Sequence, residues 1–407
     1  MTDAEEFVVA VRRADVARLA GTSPAVVSYV LNGGPRGVAP ATKARVLAAV
    51  EQLGYRPNGI ARSLRMNRTM TLGLVVPDTA NPFFAELARA IEEAAFATGY
   101  TLLIGNAAED DERQTSYVRT FLARRVDGLF LVPAHGPARV LPELQRSRVP
   151  WVALDRQSPG GAAPAVVTDN RAGARQATEH LLAHGRKRIA CISGPEDVVP
   201  ANLRVAGWRD ALAAAGVRTS EMAVWHGEFG RRAGYRGARE LLSGGDYDGV
   251  FVASDEQAFG ALRALQQRGI RCPQDVAIAS FDGIAAAAYS TPALTTMAQP
   301  FAELGRTAMN RLLAQFDGTS ADTTTSVVPT SLVARGSCGC PDPPGGDADE
   351  TPAAGDSRAA GETPAAGGSR AAGDSRAAGD SRVGDGIRVG DGIRAGHDGN
   401  ESGGGSA

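Results

Sequence analysis

Three runs of apolar residues at helical spacing crowd the first part of the chain. Val16, Leu19 and Ala20 make the first, Val27, Val30 and Leu31 the second, and Val46, Leu47, Val50 and Leu53 the third. Gly21 separates the first two, and Ser23-Pro24 reads as the start of the second helix. The serine hydroxyl can accept an orphan amide, and proline at the first helical position has no amide to leave unpaired. This helix is expected to bury Val27, Val30 and Leu31 and to turn Pro24, Ala25, Ser28 and Tyr29 outward. The third is expected from Pro40 to about Leu53, closed by Gly54. Ala39 precedes it without a hydroxyl, and a missing cap of that kind costs about 1 kcal/mol. Helix, glycine turn, helix and a third helix complete a minimal core, an arrangement that offers its second helix to a DNA major groove.

From Thr71 to about Arg335 the pattern changes to short apolar runs alternating with amphipathic stretches. Strands are expected at Leu72–Val76, Thr101–Ile104, Gly128–Val132, Trp151–Leu154, Ile189–Ser193, Gly249–Val252 and Val276–Ser280. Helices are expected at Phe83–Ala97, Ala172–Ala183, Val205–Ala215, Gln257–Gln267 and Phe301–Phe316. Such alternation implies parallel sheets covered by helices on both faces. After Cys340 periodicity is lost: near repeats of Ala-Ala-Gly-Asp-Ser-Arg give way to Arg-Val-Gly-Asp-Gly-Ile twice from Arg382, and no aromatic residue follows Phe316. A segment so poor in apolar area cannot offset its chain entropy, so residues 341–407 are expected to be a disordered tail.

Charge sharpens the reading of the first segment. Ten Lys or Arg lie between Ala10 and Arg68 against Asp15 and Glu51, an excess of eight in a chain whose net charge is −2. Counterion release from phosphates requires such a local excess. The 407 residues, 43% hydrophobic, suffice for more than one domain with a sizeable core. No run approaches the roughly 18 apolar residues of a membrane helix. The start Met1-Thr2-Asp3 lacks a basic, apolar export signal, so a cytoplasmic protein is expected.

Four cysteines are too few and too scattered for a disulfide framework. Cys338-Gly339-Cys340 lacks the usual metal-ligand spacing and reads as incidental. His180 and His184, four apart, could hold a metal from one helix, but the sequence indicates no third ligand, so neither metal nor cofactor is expected. Neither lysine follows a glycine, as a phosphate-cradling loop needs, and Gly-x-Ser-x-Gly and His-Glu-x-x-His are absent. An enzyme is therefore not expected.

The strings Asp15-Val16-Ala17, Val27-Ser28-Tyr29-Val30-Leu31-Asn32, Leu53-Gly54-Tyr55-Arg56-Pro57-Asn58 and Ala61-Arg62-Ser63-Leu64-Arg65 closely resemble the lactose repressor and galactose repressor family of bacterial transcription regulators. Similarity continues to about Arg335. It implies a helix-turn-helix domain at residues 10–57, a hinge helix and linker at 58–68, and an effector-binding and dimerisation domain at 69–340. That last domain takes the type I periplasmic-binding-protein fold, with one subdomain from about 69–168 and 299–329 and the other from about 169–298 and 330–340. The resemblance implies base contacts by Pro24, Ala25 and Tyr29. It places Ser23, Ser28, Asn32, Thr42, Tyr55 and Asn58 on phosphates or packed beneath them. Ala61, Leu64 and Arg65 fall on the hinge helix, which enters the minor groove where two subunits meet and drives Leu64 between base steps. Val26 stands where a threonine is common and Ala39 where a serine often caps, and Pro24 and Ala25 offer no side-chain hydrogen bonds. Direct readout then leans on Tyr29 and on apolar contact with thymine methyls.

Open parallel sheets bind ligands beyond the carboxyl ends of their strands. Asp78, Asn81, Asp155, Arg156, Asp255 and Asp282 all follow expected strands. The resemblance places Asn81, Phe84, Asp155, Arg156, Arg204, Phe229, Asp255 and Asp282 at or near an effector. Carboxylates and guanidinium groups can grip vicinal hydroxyls while an aromatic ring packs on a sugar's apolar face, so a sugar is the leading effector. A nucleobase is the alternative, since Phe84 and Phe229 could sandwich a flat ring, although Val198 and Pro200 stand where a purine-responsive relative would offer polar groups. An aspartate after a strand is also an ordinary N-cap, and for Asp78 and Asp255 the two readings are even. The expected protein is a ligand-responsive regulator, a homodimer or higher oligomer on a near-palindromic operator in double-stranded DNA. A sugar-binding protein without DNA regulation is the remaining alternative, and the basic amino-terminal segment argues against it.

Overall fold

Helix α1 (Arg13–Leu19) opens where the Arg12 amide donates to the Asp15 carboxylate at 2.9 Å, and it stops one residue before the turn at Gly21, whose φ of +61° suits glycine. Helix α2 (Pro24–Asn32) starts as its sequence dictates, with the Val26 amide donating to Ser23 Oγ at 3.4 Å. Helix α3 (Pro40–Gln52) starts at proline without a side-chain cap at Ala39 and is closed by Leu53 and by Gly54, which has a φ of +59°. Val16, Ala17, Ala20, Val27, Val46, Ala49 and Tyr55 form the buried core of the three. Two leucines expected there are not in it: Leu19 is 48% and Leu47 45% exposed. Alanines displace them. Ala17 and Ala20 carry the buried edge of α1, and Ala49 completes the stripe Val46-Ala49-Val50-Leu53 on α3, which leaves Leu47 one position off the face. Arg45 Nε then donates to the Ala20 carbonyl at 3.1 Å, tying α3 to the end of α1.

The structure, a computed structural model, describes residues 11–32, 37–56, 68–134, 139–218, 222–316 and 322–342. The expected hinge residues Asn58, Ala61, Leu64 and Arg65 lie outside the described residues, as does the expected tail from residue 343 onward.

The remaining elements build two lobes. The first contains β1 (Thr71–Val76), α4 (Pro82–Ala97), β2 (Thr101–Asn106), α5 (Asp111–Ala123), β3 (Gly128–Leu131), α6 (Leu141–Ser147), β4 (Trp151–Leu154) and β5 (Ala165–Thr168). The second contains α7 (Asn170–Ala183), β6 (Ile189–Ser193), α8 (Val199–Ala214), β7 (Val224–His226), α9 (Arg231–Gly244), β8 (Gly249–Val252), α10 (Asp255–Gln267), β9 (Ala277–Asp282) and β10 (Thr295–Ala298). The chain then recrosses. Helix α11 (Phe301–Phe316) and β11 (Thr325–Val328) join the first lobe, and β12 (Ser331–Val333) returns to the second. Each lobe has a six-stranded sheet, ordered β11-β5-β4-β3-β1-β2 and β12-β10-β9-β8-β6-β7. Pairing is parallel throughout except at the edge, where β12 runs antiparallel to β10. The central strands β3, β4, β6, β8, β9 and β10 are buried along their whole length, as strands covered on both faces must be.

Strands β5, β7, β10, β11 and β12 and helices α5, α6 and α9 were not anticipated from the hydrophobic pattern. The strands are three or four residues long, too short for a periodic signal to build up. Helix α9 buries Gly234, Gly237, Ala238 and Leu241, so two glycines occupy positions where a periodic reading looks for large apolar residues. Those glycines permit close backbone approach: a Cβ on Gly234 would overlap the Gln257 carbonyl of α10, and one on Gly260 of α10 would overlap the Arg231 carbonyl of α9. In an open helix Gly234→Ala would gain about 1 kcal/mol of propensity. Here overlap with backbone outweighs that gain, and urea denaturation should find the variant destabilised by about 1–3 kcal/mol. A variant as stable as the wild type would refute the α9–α10 contact.

Candidate functional site

Between the carboxyl ends of the two sheets lies an open cleft of about 420 Å³, solvent at its mouth included, lined by Asn81, Phe83, Phe84, Glu109, Asp155, Arg156, Val198, Pro200, Arg204, Phe229 and Asp282. Seven of the eight expected effector residues are on its wall. Asn81 is the N-cap of α4, where its Oδ1 accepts from the Phe83 amide at 3.0 Å. Phe84 stands edge-on to Phe83, ring centroids 5.0 Å apart. Phe229 reaches the cleft because residue 194 is glycine: a Cβ there would collide with the Phe229 ring.

The second lobe's charges centre on Arg204, which is 3% exposed. Its Nε donates to Asn170 Oδ1 at 2.7 Å, and its Nη1 donates to the Ala253 carbonyl at 2.5 Å and to Asp282 Oδ1 at 3.2 Å. The guanidinium carbon sits 3.9 Å from the centroid of the Phe281 ring. Asp282 Oδ1 also accepts from Gln299 Nε2 at 3.0 Å, and Gln299 Oε1 accepts from Thr168 Oγ1 at 3.1 Å. Asn170 Nδ2 in turn donates to the Thr168 carbonyl at 3.2 Å. Thr168 ends the first lobe's β5 and Gln299 follows the second lobe's β10, both points where the chain crosses, so this network spans the lobes beside two of their connections.

On the first lobe, Arg156 Nη1 donates to the Pro133 carbonyl at 2.6 Å and Nε lies 3.8 Å from Asp155 Oδ2. Arg156 Nε is buried and has no hydrogen-bond partner among the described residues. A buried charged donor left this way costs free energy that an accepting ligand atom would recover. Burial raises the Asp155 carboxyl above its ordinary value against the pull of Arg156 and Arg204. Asp282 is pushed up to about 8 by desolvation, with Arg204 opposing and the charges of Asp255 and Asp155 adding to the rise.

One expected effector residue is elsewhere. Asp255 is fully buried at the first turn of α10, and its carboxylate accepts from Ser280 Oγ (2.5 Å), Thr296 Oγ1 (2.7 Å), the Gly283 amide (2.8 Å) and the Ile284 amide (2.9 Å). With its oxygens taken up internally it shapes the loop after Asp282 and does not line the cleft. Ser254 is the N-cap there, accepting from the Gln257 amide at 3.2 Å. Asp78 is likewise a turn residue, its Oδ1 accepting from the Ala80 amide at 2.9 Å. Glu109, Asn170 and Gln299 were missed because no local motif marks them. Glu109 enters the cleft from a left-handed turn, φ +56°. His180, His184, Cys338 and Cys340, two unrelated pairs by sequence spacing, are all gathered together by the fold.

On the helix-turn-helix, Ser23, Pro24 and Ala25 are exposed at the start of α2, while Ser28, Tyr29 and Thr42 are half-buried. Tyr55 is 7% exposed and packs in the three-helix core. Asn32 closes α2.

An exposed helix start beside basic residues, joined in one chain to a two-lobed ligand cleft, defines a ligand-responsive DNA-binding regulator. The chain belongs to the lacI family of bacterial regulatory proteins: that family's model matches residues 14–58, and a periplasmic binding protein-like domain matches residues 178–338. It is 39% identical over 303 residues to the ribose operon repressor of Escherichia coli strain K12, spanning 74% of this chain and 91% of that protein. Among solved structures it resembles the lac repressor dimer bound to operator and an anti-inducer, with a TM-score of 0.72 and 28% identity over 81% of this chain and 99% of that one. A lacI-family regulator from Enterococcus faecium with bound ribose matches with a TM-score of 0.60 and 31% identity, over 66% of this chain and 98% of that one.

The raised Asp282 carboxyl sets a pH dependence. A folded-state pKa above the ordinary carboxylate value means that this group's contribution to stability is complete below that ordinary value and is lost as pH rises through about 8. Thermal unfolding without ligand should therefore show a midpoint that falls as pH rises from about 4 to about 8 and levels off above it, and Asp282→Asn should flatten the fall. An unchanged slope in the variant would assign the titration to another group.

Proposed function

We propose that this regulator is a repressor that binds a near-palindromic operator as a homodimer and reads a small sugar, of pentose size, in the cleft. The carrying observation is the pairing of Asp155 with Arg156 and of Asp282 with Arg204 on facing walls, with Phe84 and Phe229 alongside and Arg156 Nε awaiting an acceptor. Paired acceptors and donors suit vicinal hydroxyls, and aromatic faces suit the apolar side of a sugar ring. Val198 and Pro200 give the wall no hydrogen-bonding side chain where a nucleobase edge would need one. The ribose operon repressor and the ribose-bound relative add support for a pentose.

Pro24, Ala25 and Tyr29 are proposed to meet base edges, with Ser23, Ser28, Asn32, Thr42, Tyr55 and Asn58 at or beneath the phosphates. Ala61, Leu64 and Arg65 are proposed to enter the minor groove at the dyad. No described helix is long and apolar enough to cross a membrane, in keeping with action at cytoplasmic DNA. Ligand binding shifts the balance between two lobe arrangements, and the coupling to DNA is typically about 1–3 kcal/mol and reciprocal.

Calorimetry with ribose, other pentoses, hexoses and free nucleobases tests the effector. A pentose should bind and Arg204→Met should abolish binding; heat from nucleobases alone would overturn the sugar assignment. For DNA, Leu64→Ala should weaken operator binding by at least tenfold and leave binding to unrelated duplex nearly unchanged, as a wedge that acts only on a bent site requires. Equal losses on both duplexes would remove the wedge.

A further inference from the structure

Helix α7 ends in two histidines one turn apart, and the short 3-10 turn at Gly336–Cys338 is followed by a second cysteine after one glycine. These four side chains meet on the second lobe. His180 Nε2 lies 3.1 Å from Cys338 Sγ and 3.6 Å from Cys340 Sγ, and His184 Nε2 lies 3.2 Å from Cys340 Sγ. All four ligand atoms fall within 4.8 Å of one another. The i, i+4 spacing puts both imidazoles on one side of α7, ring centroids 4.7 Å apart. Gly339, at φ +105°, turns the chain sharply between the cysteines, and a Cβ there would stand 3.7 Å from His184 Nδ1. Cys338 is buried, His180 and Cys340 are half-buried and His184 is exposed, so the cluster opens to solvent on one side. Cys272 lies beside it without joining it, its Sγ donating to the Ser337 carbonyl at 3.4 Å.

We propose that His180, His184, Cys338 and Cys340 form a tetrahedral site for a zinc ion. Two thiolates and two imidazoles are a donor set that zinc takes in closed, four-coordinate structural sites, whereas magnesium and calcium require oxygen ligands. Bonds of about 2.3 Å to sulfur and 2.0–2.1 Å to nitrogen place tetrahedral donors about 3.3–3.8 Å apart. The separations of 3.1, 3.2 and 3.6 Å lie in or just below that range, and the outer limit of 4.8 Å leaves about an ångström to close on binding. Binding releases the two thiol protons to solvent, and the two thiolates then balance the ion's charge; no electron is transferred. With four protein donors the ion keeps no open position, so the site is a staple. It fastens residues 336–340 to the end of α7, and the other end of that helix supplies Asn170 to Arg204.

The test uses the untagged full-length chain, purified under reducing conditions and dialysed against zinc chloride, with bound metal read by mass spectrometry. About one zinc per chain is expected, with a rise of several degrees in the unfolding midpoint. His184→Gln/Cys340→Ser, which changes only the exposed and half-buried donors, should lose both and keep the wild-type circular dichroism. Cobalt(II) added to the wild type gives a readout independent of any variant: tetrahedral d–d bands with a thiolate-to-cobalt charge-transfer band, the latter roughly halved in Cys340→Ser. Equal zinc in wild type and double variant, or a cobalt spectrum without thiolate charge transfer, would overturn the site.

Discussion

The buried guanidinium of Arg204 is the constraint on which the two-lobed arrangement turns. Enclosing a charge of this kind costs several kcal/mol unless its donors are met. Asn170 at the start of α7, the Ala253 carbonyl just after β8, and Asp282 and the face of Phe281 at the end of β9 meet them from three separate parts of the lobe. Because Asn170 and Asp282 are also bonded to Thr168, directly or through Gln299, the cation that lines the cleft is also the centre of the joint between the lobes. A ligand that draws on Arg204 or Asp282 therefore acts on the joint itself, which gives differential binding a physical route to lobe movement.

Contacts between the lobes do not end there. Ile284 follows the second lobe's β9, yet it is 2% exposed within the first lobe's core beside α4 and α11. The Ala285 amide next to it donates to Glu86 Oε1 of α4 at 2.8 Å, and partial burial raises the Glu86 carboxyl above its ordinary value. Asp255 holds this same loop from beneath through the amides of Gly283 and Ile284. The carboxylate read from sequence as half effector ligand, half cap thus shapes the surface by which one lobe grips the other.

Legibility in the sequence followed the reach of each interaction. Ser23, Pro24, Gly21 and Gly54 act within a few residues, so the helix-turn-helix and its ends were readable. Of the twelve strands among the described residues, the seven with longer or wholly apolar runs were also readable. Asp155, Arg156 and Asp282 were marked by their place just after expected strands as well as by family resemblance, whereas Arg204 and Phe229, far from any expected strand end, came through the resemblance alone. Gln299 and Thr168 stand 131 positions apart, and His180 and Cys338 158 apart; only the crossings between lobes make them neighbours. Leu19 and Leu47 misled because apolar periodicity does not weigh alanine, which wins the core wherever helices pack closely.

The crossings carry one more implication. Three connections, after β5, after β10 and between β11 and β12, run side by side from one lobe to the other. Short connecting segments of this kind are where a change in lobe angle is taken up, a few residues absorbing the change in φ and ψ. Changes anywhere along those tethers should therefore shift the resting angle, and with it the sensitivity of the whole switch, without touching a single ligand-facing atom.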